Sequence, residues 1–260
     1  MILFDIGANL THESFNQDLT EVLLRAREAG IERLIVTGAS LEGTVAALAL
    51  AEQDDNLWST AGVHPHHAET LTEGCLSQLA ELAQQPKIVA IGETGLDYFR
   101  DFTPRAVQRD AFEAQLQLAA DVGKPVFLHE RDAAKDFITL LSQYRDQLSN
   151  VVVHCFTGDA SALEAYLELD CHIGITGWIC DERRGKHLHE LVSRIPTGKL
   201  MIETDAPYLL PRTLKPKPKN RRCEPCHLLE VARVIAPLRG QTMQALAEET
   251  TATANRFFRL

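Results

Sequence analysis

The 260-residue sequence contains no apolar run approaching the ~18 residues that cross a bilayer. Its start, Met1-Ile2-Leu3-Phe4-Asp5, lacks the basic leader region of a secretory signal. Membrane insertion and secretion are therefore not expected. The six cysteines, at 75, 155, 171, 180, 223 and 226, are too sparse for the disulfide framework of a small secreted domain. Reduced thiols in a cytoplasm are the expectation, and the glycosylation triplet Asn9-Leu10-Thr11 then carries no weight. No GxGxxG or GxxxxGK turn is present, which removes the usual cradles for nucleotide phosphates. Positive charge is short as well: 26 Lys and Arg face 36 Asp and Glu, a net charge of −10. Because phosphate binding draws on cations, broad adhesion to nucleic acid is excluded and any polyanion must bind locally. One stretch offers such a place, with Arg212, Lys215, Lys217, Lys219, Arg221 and Arg222 in an acid-free run. Taken alone, a solvated, proline-stiffened loop is the better account of it.

What the chain does have is the composition of a globular protein, 45% hydrophobic and 24% charged, which is enough for a sizeable core and excludes disorder. Its length exceeds the usual domain of roughly 100 to 200 residues, but α/β barrels run to about 250 as one unit. One domain over 1–260 is therefore expected. Short apolar runs with strand character recur at 2–5, 33–37, 57–62, 88–92, 125–129, 150–154, 171–176 and 199–203. Stretches of helical period lie between them, with stripes Leu19/Val22/Leu23/Ala26, Phe112/Leu116/Ala119 and Phe137/Leu140/Leu141/Tyr144. Thr103-Pro104 predicts a helix N-cap, and Gly30 and Gly123 predict helix stops. The proline-rich stretch from about 206 to 223 is the longest irregular one, and loops of that length in compact domains are usually functional. Eight βα units without a linker favour a (β/α)8 TIM barrel over a doubly wound sheet, and place any active site at the strand C-termini.

Acids and histidines gather at those ends: Asp5, His64, Glu93, His129, His154, and Glu203 with Asp205. Six of the eight strands thus deliver a metal-capable or acid/base group to one end, although a single such histidine is more often structural. His129 and His154 follow clean apolar strands and are the sharpest ligand candidates. Glu93 and Asp205 could bind or bridge a metal, or form structural ion pairs. Glu203 and Asp205, two apart, face the same way if the chain stays extended, so that one ligates while the other orients water. Such a set suits hydrolysis, because a divalent ion lowers the pKa of water toward ~7 and a carboxylate can take the proton. Arg131 is a candidate clamp for a phosphoryl group, with a surface ion pair as the equal alternative. His12, His66, His67, His172, His187 and His189 are expected to face solvent, His66 least firmly because Pro65 holds it near His64. Cys223-Glu224-Pro225-Cys226-His227 has haem-attachment spacing, but with no export signal or second CxxC it reads better as a helix start at Glu224-Pro225.

The series Phe4-Asp5-Ile6-Gly7-Ala8-Asn9-Leu10, Ala61-Gly62-Val63-His64-Pro65, Ile91-Gly92-Glu93-Thr94-Gly95-Leu96-Asp97, His154-Cys155-Phe156-Thr157-Gly158 and Glu203-Thr204-Asp205-Ala206-Pro207-Tyr208-Leu209 resembles the TatD-type metal-dependent nucleases of the amidohydrolase superfamily, from end to end. The resemblance implies a cytoplasmic, magnesium-dependent exonuclease that removes nucleotides from 3′ ends of single-stranded DNA and RNA. It implies Glu93, His129 and His154 as metal ligands, Asp205 as a further ligand or the base, and His64 and Glu203 as catalytic companions in the pocket. Arg131, Arg212, Lys215, Lys217 and Lys219 are the substrate-binding candidates, and the chain is expected to act as a monomer. Most relatives carry Asp-x-His-x-His on the first strand, where this chain has Asp5, Gly7 and Asn9; two imidazole ligands are missing, which counts against a full two-metal site. Two imidazoles beside carboxylates suit manganese or zinc better than magnesium. The rival readings are an amide, ester or lactone hydrolase, such as a D-aminoacyl-tRNA deacylase, and a noncatalytic nucleic-acid-binding module.

Overall fold

The computed structural model describes residues 1–260. Eight strands, β1 (Leu3–Ala8), β2 (Ile31–Val36), β3 (Leu57–Ala61), β4 (Ile88–Asp97), β5 (Val126–Arg131), β6 (Val151–Val153), β7 (His172–Ile175) and β8 (Leu200–Ile202), form one sheet in sequence order. The helices α1 (Leu19–Glu28), α2 (Leu41–Ala51), α3 (Glu73–Leu82), α4 (Arg105–Val122), α5 (Ala134–Tyr144), α6 (Ala160–Glu168), α7 (Leu188–Leu191), α8 (Leu228–Leu238) and α9 (Met243–Phe258) follow them. The fold class is the (β/α)8 TIM barrel that the alternation predicts. No helix is long and apolar enough to cross a membrane.

Backbone contacts divide the chain into two compact units. The first comprises Met1–Ile35, Cys155–Ala160 and Ile173–Leu260. In it β7 pairs with β8 in parallel, and α9 packs on β1 and β8, with Phe4 against Phe258 at 6.1 Å between ring centroids. The second comprises Val36–His154 and Ser161–His172. There β3, β4, β5 and β6 pair in parallel, and fully buried Phe112 of α4 stacks on Phe137 of α5 at 5.1 Å. Truncating Phe112 to alanine would cost about 3–5 kcal/mol through reduced burial and the cavity left behind.

Three local expectations are corrected. Strand β1 does not end at Asp5 but continues to Ala8, leaving Asp5 buried in mid-strand. Strand β4 does not stop at Gly92: Thr94, Gly95, Leu96 and Asp97 pair with Leu128, His129, Glu130 and Arg131 of β5. Only glycine fits at 95, where φ is +143° and a Cβ would lie 1.9 Å from the His129 carbonyl oxygen. Thr103 does not cap α4; its hydroxyl donates to the His66 carbonyl at 3.2 Å, and the N-cap position is Pro104. Gly123 does end α4, in the left-handed region at φ 67°.

Candidate metal centre

In the second unit, the parallel strands β3 to β6 carry their polar groups in or beyond their C-terminal halves: Glu93 and His129 lie within β4 and β5, and His64 and His154 just past β3 and β6. Three histidine rings converge there on one oxygen of Glu93. Nε2 of His154 lies 2.8 Å from Glu93 Oε1, Nδ1 of His129 3.2 Å, and Nε2 of His64 3.5 Å. Candidate ligand atoms of His64, Glu93 and His129 all lie within 4.8 Å of one another. Glu93 is held from behind, its backbone N–H donating to the Gly38 carbonyl at 2.8 Å, and the His154 ring packs on Phe127 at 4.3 Å.

The two nitrogens of each ring have different tasks. His64 Nδ1 accepts the His66 backbone N–H at 3.1 Å, so the neutral ring carries its proton on Nε2 and points a donor into the cluster. Burial pushes its pKa well below the ordinary histidine value, against the pull of Glu93. His129 instead sits between two carboxylates, with Asp97 Oδ2 3.3 Å from Nε2 and Glu93 near Nδ1. Burial works against its charged form, but the bonds to Asp97 and Glu93 prevail and raise its pKa to about 9. Burial likewise opposes ionisation of Glu93, yet the surrounding imidazoles hold it well below the usual carboxylate range. Asp97 behind His129 is the arrangement that fixes the ring of a metal-binding histidine and raises its basicity.

Two members of this group were not legible as site residues. Asp97 also accepts from His66 Nε2 at 2.7 Å, so His66 is a bonded, half-buried neighbour of the cluster and not the solvent-facing ring expected. The available signal was strand alternation: with β4 extended to 97, Glu93 and Asp97 fall on one face. Of the other histidines set aside, His67 and His187 are exposed, while His12, His172 and His189 are half-buried.

The first unit holds the remaining acids. Asp205 Oδ1 accepts the Asn9 side-chain amide at 2.9 Å, and Asp205 N–H donates to the Gly7 carbonyl at 2.9 Å. The expected alternation of Glu203 and Asp205 does not hold, because β8 ends at Ile202 and Asp205 turns into the left-handed region at φ 54°. Their partners differ accordingly: buried Glu203 accepts the Cys155 N–H at 2.6 Å. Asp5 receives the Thr204 N–H at 3.0 Å and the Thr204 hydroxyl at 2.5 Å. Burial nevertheless raises its pKa to about 8.

The basic stretch is not uniformly available. Arg222 is bonded to Asp18 Oδ2 at 2.6 Å and Glu224 Oε1 at 2.8 Å, and Arg212 Nε lies 3.5 Å from Glu182 Oε2 and 3.7 Å from Asp181 Oδ1. Lys215, Lys217, Lys219 and Arg221 are exposed. A cavity of about 460 Å³ lies in this loop, lined by Leu210, Pro211, Arg212, Lys217, Pro218 and Arg221. Arg131 pairs with Asp132 at 3.8 Å and lies over the Phe99 ring at 5.0 Å. Glu224-Pro225 opens a helical turn leading into α8, and Glu224 N–H donates to His227 Nδ1 within that cap.

Residues 4–259 match the family model described as TatD related DNase. A protein of Edwardsiella piscicida named 3′-5′ ssDNA/RNA exonuclease TatD is 49% identical over 99% of this chain and 100% of its own length. A protein of the same name from Shigella flexneri serotype 5b is 48% identical over 98% of each chain. Among solved structures, YJJV, a TatD homologue from Escherichia coli k12, superposes with a TM-score of 0.91 at 28% identity, covering 99% of this chain and 98% of that one. A TatD family hydrolase of Entamoeba histolytica gives 0.87 at 26% identity, covering 98% of each.

Proposed function

We propose that this chain, which belongs to the family of TatD-related DNases, is a divalent-metal-dependent exonuclease that shortens single-stranded DNA and RNA from the 3′ end. The observation that carries the reading is the convergence of His64, His129 and His154 on Glu93 Oε1. Full-length relatives at about half identity bear the name of that activity.

The donor set fits a divalent ion. His129 Nδ1 and His154 Nε2 each lie close to Glu93 Oε1, so the set offers one carboxylate oxygen and two imidazoles, a mixture that manganese or zinc accepts readily and magnesium less so. Magnesium remains the ion that family membership favours. Bound there, the ion would lower the pKa of water and offset charge on the phosphoryl oxygens. Asp205 is assigned as a further ligand or the base that takes the proton from the attacking water. Glu203 positions the backbone at Cys155, next in sequence to His154. His64, neutral with its proton on Nε2, is assigned to donate a hydrogen bond to a phosphoryl or leaving oxygen. Arg131 clamps the phosphoryl group, and Lys215, Lys217 and Lys219 follow the strand's phosphates. Arg212, which already faces two carboxylates, plays a smaller part in binding.

We further propose that the 260 residues act as one domain, as a monomer, in the cytoplasm. Product analysis on single strands and duplexes, labelled at the 5′ or 3′ end, tests the activity. Stepwise shortening from the 3′ end of single strands, abolished by EDTA, is expected. Shortening from the 5′ end, internal cuts, or cleavage that survives EDTA would overturn the reading.

A further inference from the structure

Two large apolar side chains in the second unit stand in water beside the metal centre. Phe99 is 56% exposed and Phe102 is 67% exposed; Phe99 lies in the turn that follows β4 and Phe102 in the irregular segment between that turn and α4. Exposed aromatics that are also held in place mark a contact surface, and these two are held. Asp97 Oδ1 accepts the backbone N–H groups of Phe99 at 3.0 Å and Arg100 at 2.7 Å, which folds the turn. The other oxygen of the same carboxylate binds His66 and His129. Phe102 meets the His66 ring edge-on at 4.8 Å. One carboxylate thus fixes both the rings behind the metal centre and the turn that carries Phe99, while Phe102 rests on one of those rings.

The surroundings of these rings are cationic. The Arg131 guanidinium lies 5.0 Å from the Phe99 centroid and that of Arg100 lies 5.7 Å from it. Arg131 leaves β5 two residues after His129. Apolar ring faces bordered by guanidinium groups are complementary to a base with its attached phosphate, the combination by which single strands are bound without sequence preference. Within a duplex both faces of a base are covered by its neighbours, so an unpaired nucleotide, free to turn its face outward, is the better ligand for such rings.

We infer that Phe99 and Phe102 form a stacking platform for an unpaired base next to the scissile phosphate, with Arg131 and Arg100 contacting the backbone; this rests on the exonuclease reading above. The platform makes a base, and not only a phosphate, part of what is recognised at the 3′ end. It also gives a physical reason for preferring single-stranded over base-paired nucleotides.

The test compares an intact single-stranded oligonucleotide with strands carrying an abasic residue at the last or the next-to-last position. Wild type and the Phe99→Ala/Phe102→Ala double variant are assayed with divalent metal. Stacking contributes about 1–3 kcal/mol per base, so wild type should prefer the intact strand over at least one abasic strand by roughly 5- to 150-fold in kcat/KM. In the double variant that ratio should fall to near one, whereas damage to the metal centre would slow all three strands and leave the ratio in place. Cleavage by wild type without discrimination, or a ratio retained in the variant, overturns the platform while the exonuclease reading stands. Loss of self-association in the variant with the ratio retained would mean that the rings cover a second copy of the chain. Failure of wild type to shorten any strand overturns the exonuclease reading and the platform together.

Discussion

Asn9 donates its side-chain amide to Asp205 Oδ1 at 2.9 Å. Asn9, at the end of the first-strand segment Asp5-Ile6-Gly7-Ala8-Asn9, thus orients a carboxylate. The backbone reinforces the pair, since Asn9 N–H donates to the Ala206 carbonyl at 2.6 Å. A hydrogen bond to a charged group contributes about 1.5–3 kcal/mol, and for a part-buried pair the lower end applies. Asn9→Ala should therefore lower kcat about tenfold with little change in KM, and Asp205→Asn should lower it much further. Steady-state kinetics on a single-stranded substrate decides it. An unchanged kcat with a raised KM would make both residues parts of the binding surface only.

Glu93→Ala, His129→Ala and His154→Ala should each abolish divalent-metal-dependent cleavage while circular dichroism shows a retained fold, because each removes a donor from the cluster. His64→Ala should be milder in metal affinity, since the ring's Nδ1 already accepts a backbone N–H and its Nε2 carries the proton. Titration with Mn²⁺ followed by calorimetry separates the two classes. A His129→Ala protein that binds Mn²⁺ as tightly as wild type would remove His129 from the ligand set.

Asp5 gives a pH signature that is independent of catalysis. Its folded pKa is raised to about 8 from 3.8 by burial, so between those values the folded chain holds a proton that the unfolded chain has released. Stability from this group is complete below the unfolded pKa and is lost as pH rises through about 8. Asn mimics the protonated carboxyl, so Asp5→Asn should gain stability relative to wild type as pH is raised from 5 to 8. Urea midpoints across that range provide the check, and parallel curves for the two proteins would show that Asp5 is ionised in the fold.

The eight strands were legible because each is a short apolar run between helical periods. The convergence of His64, Glu93, His129 and His154 was expected from strand ends, although Glu93 and His129 turn out to lie within β4 and β5. What was not legible came from tertiary pairing. Nothing local shows that β4 continues to Asp97, because that depends on β5 lying alongside and on Gly95 permitting the approach. Asp97 and His66 were missed for the same reason. Strand alternation failed at Asp205, where a left-handed residue replaces an extended one. The basic run was read as six equivalent cations, but Arg222 and Arg212 meet Asp18, Glu224, Asp181 and Glu182, acids remote from that run in sequence or just outside it.

That division sharpens the loop prediction. Replacing Lys215, Lys217 and Lys219 with serine should weaken single-strand affinity and flatten its salt dependence, by about 0.7 in slope for each phosphate no longer neutralised. Fluorescence anisotropy over a salt series measures both. Arg222→Ser should instead lower stability by removing the bonds to Asp18 and Glu224. A triple variant with wild-type affinity and slope would leave the loop with no part in binding.

The central claim is that one divalent ion, held by Glu93, His129 and His154, drives shortening of single strands from the 3′ end. Its most direct test is to strip the protein with EDTA and restore Mn²⁺ stepwise while measuring bound ion per chain and the rate of 3′ shortening together. The account predicts that activity rises in proportion to bound ion and is complete at one ion per chain. Full activity in the stripped protein, or activity that appears only after a second ion has bound, would contradict it.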